Sequence, residues 1–174
     1  MPSGRHASPV IPTEFFRTPR LAFRPFMQSD LDALAAIIGD PRVARFVGDG
    51  QPLERPAAAL WITRSRENVQ QHGYGTGAVV ELTDGRLVGW AGWARPEGEP
   101  EELVYGFAHD AWGRGYATEI AAGLVRFARE SLELTELRAI TYEDNAASRR
   151  VLERLGFQPQ SVEDGDVIYR LVLE

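Results

Sequence analysis

The chain has 174 residues, 44% of them hydrophobic, a formal net charge of −6 and no cysteine. This length fits one domain that buries roughly two thirds of its unfolded surface without disulfides. The missing cysteines exclude an acyl-cysteine intermediate, a thiolate metal site and a disulfide, and the acidic balance disfavours a nucleic-acid partner, which needs a basic face.

Residues 1–12 are rich in Pro, Ser and Gly and offer little to bury. They predict a flexible tail ahead of a single domain over residues 13–174. No run approaches the length of a membrane span, and the tail has no export signal. We therefore expect a cytoplasmic protein without a membrane partner, either a monomer or a homodimer.

Hydrophobic spacing and turn residues predict a mixed order of elements over the rest of the chain. Strands are predicted at residues 21–26, 76–82, 87–94, 104–108, 137–141, 157–162 and 167–173, and helices at residues 30–38, 42–46 (a short one), 53–71, 117–128 and 145–155. This order indicates an α+β fold with a sheet of about six or seven strands and about four helices. It argues against a doubly wound dinucleotide fold.

A strand, a glycine turn and a helix follow one another over residues 104–128. Gly113 and Gly115 remove the Cβ atoms that would keep a ligand from the backbone, and the first N–H groups of the helix point towards the turn. An anion suits this position, and the guanidinium of Arg114 adds a positive charge. The segment predicts a phosphate site, although a plain tight turn has the same pattern.

Four motifs together resemble the GCN5-related N-acetyltransferases (GNAT), and within them the RimJ/RimL-like branch that acetylates ribosomal-protein N-termini. They are Arg17-Thr18-Pro19-Arg20-Leu21, Gly39-Asp40-Pro41-Arg42-Val43, residues 112–119 (WGRGYATE), and Asn145-Ala146-Ala147-Ser148 with Leu155-Gly156-Phe157. Trp112 departs from the family pattern, which has Gln or Arg there. The resemblance implies a mostly antiparallel, twisted sheet that splays between its two central strands.

The resemblance also implies acetyl-CoA as the acyl donor, with no metal. The pyrophosphate would bind the backbone of the glycine turn, and the pantetheine arm would pair with the end of the central strand, where a backbone N–H would stabilise the oxyanion. The predicted cofactor-binding residues are Phe107, Ala108, His109, Trp112, Gly113, Arg114, Gly115, Tyr116, Ala117, Thr118, Asn145 and Ser148.

For the proton that the leaving thiolate needs, relatives use a tyrosine at the position of Leu152. Ser148 is the proposed general acid here, and Tyr142 is its competitor. Asn145 and Ser148 also fit an ordinary capped helix start. For the base, Glu102 is a candidate beside Glu119, Glu163 and water, and Glu119 also suits the helix dipole.

The predicted function is transfer of an acetyl group to a primary amine, on a protein N-terminus or a small molecule, by direct attack in a ternary complex. The alternative is a non-catalytic CoA-binding module, suggested by Trp112 and Leu152. Acids at residues 97–102 could steer a protonated amine or form a solvated loop. Trp90 and Trp93 belong to one strand at odd spacing and are predicted to face opposite sides of the sheet.

Overall fold

The computed structural model describes residues 10–174, so most of the predicted tail lies outside the described residues. This part of the chain forms one eight-stranded sheet and five helices. The elements are β1 (Phe16–Arg17), β2 (Leu21–Pro25), α1 (Leu31–Ile38), α2 (Pro41–Ala44), α3 (Arg55–His72), β3 (Thr76–Glu81), β4 (Leu87–Ala94), β5 (Glu102–Phe107), α4 (Tyr116–Glu130), β6 (Glu136–Tyr142), α5 (Ala146–Arg154), β7 (Gln158–Glu163) and β8 (Asp166–Val172). None of these helices is long and apolar enough to cross a membrane.

The strands lie in the order β1-β2-β3-β4-β5-β6-β8-β7. Every neighbouring pair is antiparallel except β5 and β6, which run parallel. The predicted α+β fold is confirmed, with one more strand than the upper prediction. That strand, β1, has only two residues, too few for an alternating pattern to be recognised.

The sheet opens at its centre, between the parallel strands. β5 and β6 pair at a single position, Glu102 opposite Arg138, where the Arg138 N–H donates to the Glu101 carbonyl at 2.9 Å. Towards Phe107 and Tyr142 the two strands have no further paired position among the described residues. The predicted splay is thereby confirmed, and it leaves one backbone edge of each strand free.

Helices cover both faces of the sheet. α4 and α5 pack on the face that buries Trp93 and Leu103, whereas α1, α2 and α3 pack on the face that buries Trp90. Trp90 and Trp93 thus face opposite sides, as predicted from their spacing. The gap between β5 and β6 lies between these two helical layers, so that each layer can line one side of it.

Candidate active site

A cavity of about 900 Å³ occupies the gap between β5 and β6. Its lining includes Tyr105 and Ser148 from the side that α5 covers, and Trp61 and Trp90 from the side that α3 covers. The cavity therefore passes through the sheet and is open to helices on both faces. A substrate bound in it can meet different side chains at its two ends.

The glycine turn lies at one end of this cavity. Gly113 and Gly115 have φ values of +74° and +80°, in the left-handed region that favours glycine. The Glu119 N–H is the first in α4 to donate to a backbone carbonyl, that of Gly115 at 3.1 Å. Across residues 113–115 no backbone N–H has a partner within the part of the chain that the structure describes. The turn therefore presents free N–H groups at a helix start, as an anion site requires.

Arg114 is held beside the turn by a carboxylate. Its guanidinium donates to Glu81 at 2.7 Å, and Glu81 is 7% exposed at the end of β3. The Tyr116 hydroxyl donates to the same carboxylate at 3.2 Å. The Arg114 guanidinium is therefore held in an ion pair, 4.6 Å from the centre of the Tyr116 ring, and Arg114 does not itself line the cavity.

A second guanidinium reaches the turn from the residue directly before β2. Arg20 donates to the Arg114 carbonyl at 2.8 Å and to Glu119 at 3.2 Å, and its side chain is 46% exposed. The Thr18 hydroxyl also donates to Glu119, at 3.1 Å. These contacts connect the start of β2 to the start of α4. They favour a structural role for Glu119 over a role as the catalytic base.

The free edge of β5 supplies backbone groups to the cavity. The Ala108 N–H donates to the Val88 carbonyl on β4 at 2.8 Å, so Ala108 is not available as the oxyanion donor. Because backbone groups of a strand point alternately to its two neighbours, the N–H groups of Tyr105 and Phe107 face the gap. The Phe107 carbonyl accepts from the Trp112 indole at 3.0 Å, which holds Trp112 across the end of the strand.

His109 and Trp112 occupy the bend between β5 and the turn. The two rings pack with centroids 4.7 Å apart, and Trp112 is 42% exposed. Trp112 lines the cavity whereas His109 does not, and His109 begins a short 3₁₀ turn over His109–Ala111. The structure thus places the predicted His109 at the strand end, beside the site.

Ser148 meets a tyrosine that the sequence patterns did not single out. The hydroxyl oxygens of Ser148 and Tyr105 lie 2.9 Å apart, and either can donate. Burial raises the pKa of Tyr105 to about 12, although the hydrogen bond to Ser148 opposes this. Tyr105 therefore stays protonated at neutral pH, and the pair is a source of O–H groups inside the cavity.

The start of α5 is consistent with both predicted roles of its polar residues, which are capping the helix and lining the active site. Asn145 caps the helix, since its side-chain oxygen accepts from the Ser148 N–H at 3.2 Å. Both residues also line the cavity. Leu152 lines the cavity as well, but it is 1% exposed, belongs to the core against α4 and offers no proton.

Tyr142 is not brought to Ser148. Its hydroxyl donates to the Gly48 carbonyl, and Tyr142 does not line the cavity. On β6, Ala139 is buried against the α4 side, so Tyr142, at odd spacing from it, faces the other side of the sheet. This is the face opposite the Tyr105–Ser148 pair.

Glu102 lines the cavity from the start of β5. Burial raises the pKa of Glu102 above its ordinary value, while Arg138, at 3.7 Å, opposes the shift and Asp166 adds to it. A carboxylate with a raised pKa is a better base than an exposed one. Glu163, another candidate base, is exposed on β7, where the Ser161 hydroxyl donates to it at 3.1 Å.

Comparison with known proteins identifies the family. The model of the acetyltransferase (GNAT) domain matches residues 20–158 of the chain. The chain belongs to this family. It is 26% identical over 148 residues to the uncharacterized N-acetyltransferase YoaA of Bacillus subtilis, covering 83% of each protein. It is 29% identical to the FsC-acetyl coenzyme A-N(2)-transacetylase of Aspergillus fumigatus, covering 90% of this chain and 75% of that protein.

Solved GNAT structures have the same fold. An acetyltransferase from Agrobacterium tumefaciens superposes with a TM-score of 0.78 at 28% identity, over 97% of this chain and 99% of that one. The ribosomal L7/L12 acetyltransferase RimL in complex with coenzyme A superposes with a TM-score of 0.72 at 17% identity, over 94% and 97% of the two chains. The protein is accordingly an acyltransferase enzyme of the GNAT family.

Sequence reasoning gave no catalytic or phosphate-contacting role to three residues at this site. Tyr105 looks like one more apolar member of a strand, Arg20 like an outward-facing strand residue and Glu81 like the end of a hairpin strand. Arg20 and Arg114 are 94 positions apart in the chain, and Tyr105 and Ser148 are 43 apart. Only the position of Tyr105, two residues before the predicted arm-binding segment, could have indicated that it borders the cavity.

Proposed function

We propose that this GNAT enzyme transfers the acetyl group of acetyl-CoA to a primary amine by direct attack within a ternary complex. The observation that supports this most strongly is the cavity that passes through the sheet. It allows the thioester to lie between β5 and β6, with the donor approaching from the glycine turn and the amine from the α3 side. Glu102 and the Tyr105–Ser148 pair then stand on opposite sides of the reacting carbon.

For the donor, the free N–H groups of residues 113–118 would bind the pyrophosphate, and Arg20 and Arg114 would add positive charge. The N–H groups of Tyr105 and Phe107 are suited to pair with the pantetheine arm as a neighbouring strand would. The thioester is at the end of the arm that is far from the phosphates. The Tyr105 N–H lies farther from the turn than the Phe107 N–H, so it is our proposed oxyanion donor.

In the proposed reaction the neutral amine nitrogen attacks the thioester carbonyl carbon and forms the C–N bond. The oxyanion then collapses, the C–S bond breaks and its electron pair leaves on sulfur. Glu102, directly or through water, takes the proton that the amine loses, and the Tyr105–Ser148 pair gives a proton to the thiolate. The products are the acetamide and the free CoA thiol.

The Tyr105–Ser148 pair also bears on the alternative of a non-catalytic CoA-binding module. Leu152 stands where relatives have their acid, but the phenol of Tyr105 comes from β5 and hydrogen-bonds to α5 instead. A partly buried phenol that lines the cavity can supply the proton for this step. We therefore favour catalysis, in line with the family, and propose that one domain, residues 13–174, carries the whole site.

The four sequence motifs support a RimJ/RimL-like branch and hence a protein N-terminus among the possible acceptors. RimL itself is named for ribosomal L7/L12, but at 17% identity that likeness concerns the fold. The fold hosts many acceptors, so the acceptor must be argued from the site. We also propose that the enzyme acts in the cytoplasm, on amines rather than on nucleic acid or membrane-bound substrates.

The test is calorimetric titration with acetyl-CoA, with NAD as the control ligand, followed by measurement of CoA-thiol release with a panel of amines and peptides. We expect saturable binding of acetyl-CoA, no binding of NAD, and release that depends on an added amine. Binding without release for any acceptor would favour the non-catalytic module. Absence of acetyl-CoA binding would refute the proposed donor site.

A further inference from the structure

We infer that the acceptor is a small primary amine with one positive charge and a compact apolar body, preferably aromatic. This inference rests on the proposed acetyl transfer and specifies its acceptor. It is carried by the side of the cavity that faces α2 and α3, called here the acceptor chamber. The chamber is lined by Phe46, Val47, Trp61, Trp90, Glu102 and Val104.

The members of the chamber share one face of the sheet. Glu102 pairs with Ala94 and Gly106 pairs with Trp90 across β5 and β4, so the side chains of Glu102 and Trp90 point to the same side. Trp90 belongs to the core under α1 and α3, which identifies that side. An amine placed at Glu102 therefore has the indole of Trp90 along the same surface.

The indole rings of Trp61 and Trp90 form much of the chamber wall. The Trp90 indole lies so close to Gly106 that a Cβ at Gly106 would stand 2.1 Å from its ring. Trp61 meets Trp90 edge to face, with centroids 5.3 Å apart and planes at 69°. The Trp61 N–H already donates to the Thr76 hydroxyl at 3.4 Å. The rings thus offer apolar contact, and an apolar acceptor body loses little by leaving water.

The chamber provides one carboxylate for one ammonium group. Among the described residues that line the cavity, Glu102 and Asp144 are the only carboxylates. Asp144 is paired with Arg45 at 3.0 Å, whereas Arg138 lies 3.7 Å from Glu102, too far for a hydrogen bond, and does not line the cavity. Among the acids of residues 97–102, which precede and begin β5, Glu99 is paired with Arg170 at 2.9 Å and Glu101 accepts from the Tyr74 hydroxyl at 2.8 Å. A second ammonium group of a polyamine would be buried without a free partner, which is costly.

Residues 45–50, called here the strap, cross the gap above the chamber. They run on from α2 and meet the end of β6, where Tyr142 donates to the Gly48 carbonyl and Asp144 pairs with Arg45. Phe46 and Val47 of the strap line the cavity. The strap therefore joins the two halves of the open sheet, and it favours a compact acceptor over an extended chain that would have to pass beneath it.

The experiment uses the full chain with saturating acetyl-CoA and compares kcat/KM for 2-phenylethylamine, spermidine and a peptide with an N-terminal alanine. We expect 2-phenylethylamine to exceed each of the others by about 100-fold, since the chamber leaves their extra polar groups unpaired. Equal or better acetylation of spermidine or the peptide would overturn the inference, as would failure to acetylate 2-phenylethylamine while acetyl-CoA binds. Failure to bind acetyl-CoA would overturn the proposed function itself, which makes the two failures distinguishable.

A variant pair tests the aromatic wall directly. Trp61→Leu should raise KM for 2-phenylethylamine about tenfold through lost apolar contact, and it should leave the Kd of acetyl-CoA unchanged. Trp61→Phe, which keeps a ring, should restore most of the loss. The matched control is Leu60→Ala, because Leu60 is the neighbouring residue, is 47% exposed and does not line the cavity. Equal effects of Trp61→Leu and Leu60→Ala on KM would mean that Trp61 does not contact the acceptor.

Discussion

The glycine turn and the acceptor chamber share one cavity but differ in the groups that they offer to a ligand. The turn is a continuous segment, residues 112–118, and offers mainly backbone N–H groups. The chamber is assembled from the strap, α3, β4 and β5, and offers side chains. A backbone site depends on chain conformation and tolerates many side chains, whereas a side-chain site can change specificity by single substitutions. We therefore expect conformational changes to abolish donor binding and side-chain changes to adjust the chemistry.

The largest expected effect is on the conformation of the turn. Gly115→Glu should abolish measurable acetyl-CoA binding, because it adds a Cβ where φ is +80° and an anion where the phosphates would bind. The strain alone is about 1–3 kcal/mol. Calorimetric titration is the measurement. Gly165→Glu is the matched control, since Gly165 also has a positive φ, +86°, with open space around it and no place in the cavity. Equal loss of binding in both variants would argue against a local role of the turn.

The next effect concerns proton delivery to the thiolate. Tyr105→Phe should lower kcat by about 100-fold or more, the usual contribution of a general acid. The Kd of acetyl-CoA should change little, because the hydroxyl has no part in holding the phosphates.

Ser148→Ala, measured beside it by steady-state kinetics, tests whether the two hydroxyls act as one unit. We expect the double variant to be no slower than the slower single variant. Additive losses would show that Tyr105 and Ser148 act separately. Unchanged kcat in both single variants would exclude them as the acid.

A smaller effect is expected at Glu102. Since burial raises its pKa, the base form is lost at a higher pH than for an exposed glutamate, and kcat/KM should fall as the pH drops through that raised pKa. Glu102→Gln should remove this acidic limb and lower the plateau by about tenfold, because water can replace part of the base function. A pH–rate profile of both proteins is the measurement, and an acidic limb that persists in Glu102→Gln would assign the base elsewhere.

The same shift has a consequence for stability. The folded protein binds the Glu102 proton more tightly than the unfolded chain, so the free energy of unfolding falls as the pH rises from the ordinary pKa through the raised one. Glu102→Gln should remove this decrease. Urea unfolding of both proteins at several pH values would detect this difference. The same pH dependence of the free energy of unfolding in both proteins would mean that Glu102 titrates as an ordinary carboxylate.

The smallest expected effect is at Arg20. Arg20→Gln should weaken acetyl-CoA binding about threefold, since a partly exposed charged contact contributes at most about 1 kcal/mol. The loss should diminish at high salt, which screens exposed charges. Arg126→Gln, an exposed arginine farther along α4, is the control. A larger loss than that from Arg114→Gln would make Arg20 the main phosphate contact, ahead of the arginine inside the turn.

Sequence patterns predicted the order of the elements and the opposite faces of Trp90 and Trp93, because turn residues, alternation and helical spacing are local features. The splayed sheet was implied only by the family resemblance. The patterns missed β1, which is too short, and they could not show that Ala108 already pairs with β4. The family resemblance indicated Ser148 as the acid, and the nearby strand end offered Tyr142 as its competitor, whereas the strand pleat sends Tyr142 to the opposite face.

The amino-acid sequence alone determined the glycine turn and the family, because glycines before a helix and short motifs are continuous in the chain and dictate a local backbone conformation. The tertiary structure decided which side chains meet in the cavity. Tyr105 reaches Ser148, Arg20 reaches the Arg114 carbonyl, and Glu102 shares a face with Trp90 only after the strands have paired. Strand register and the packing of helices on both faces set these contacts, and they depend on residues distant along the chain.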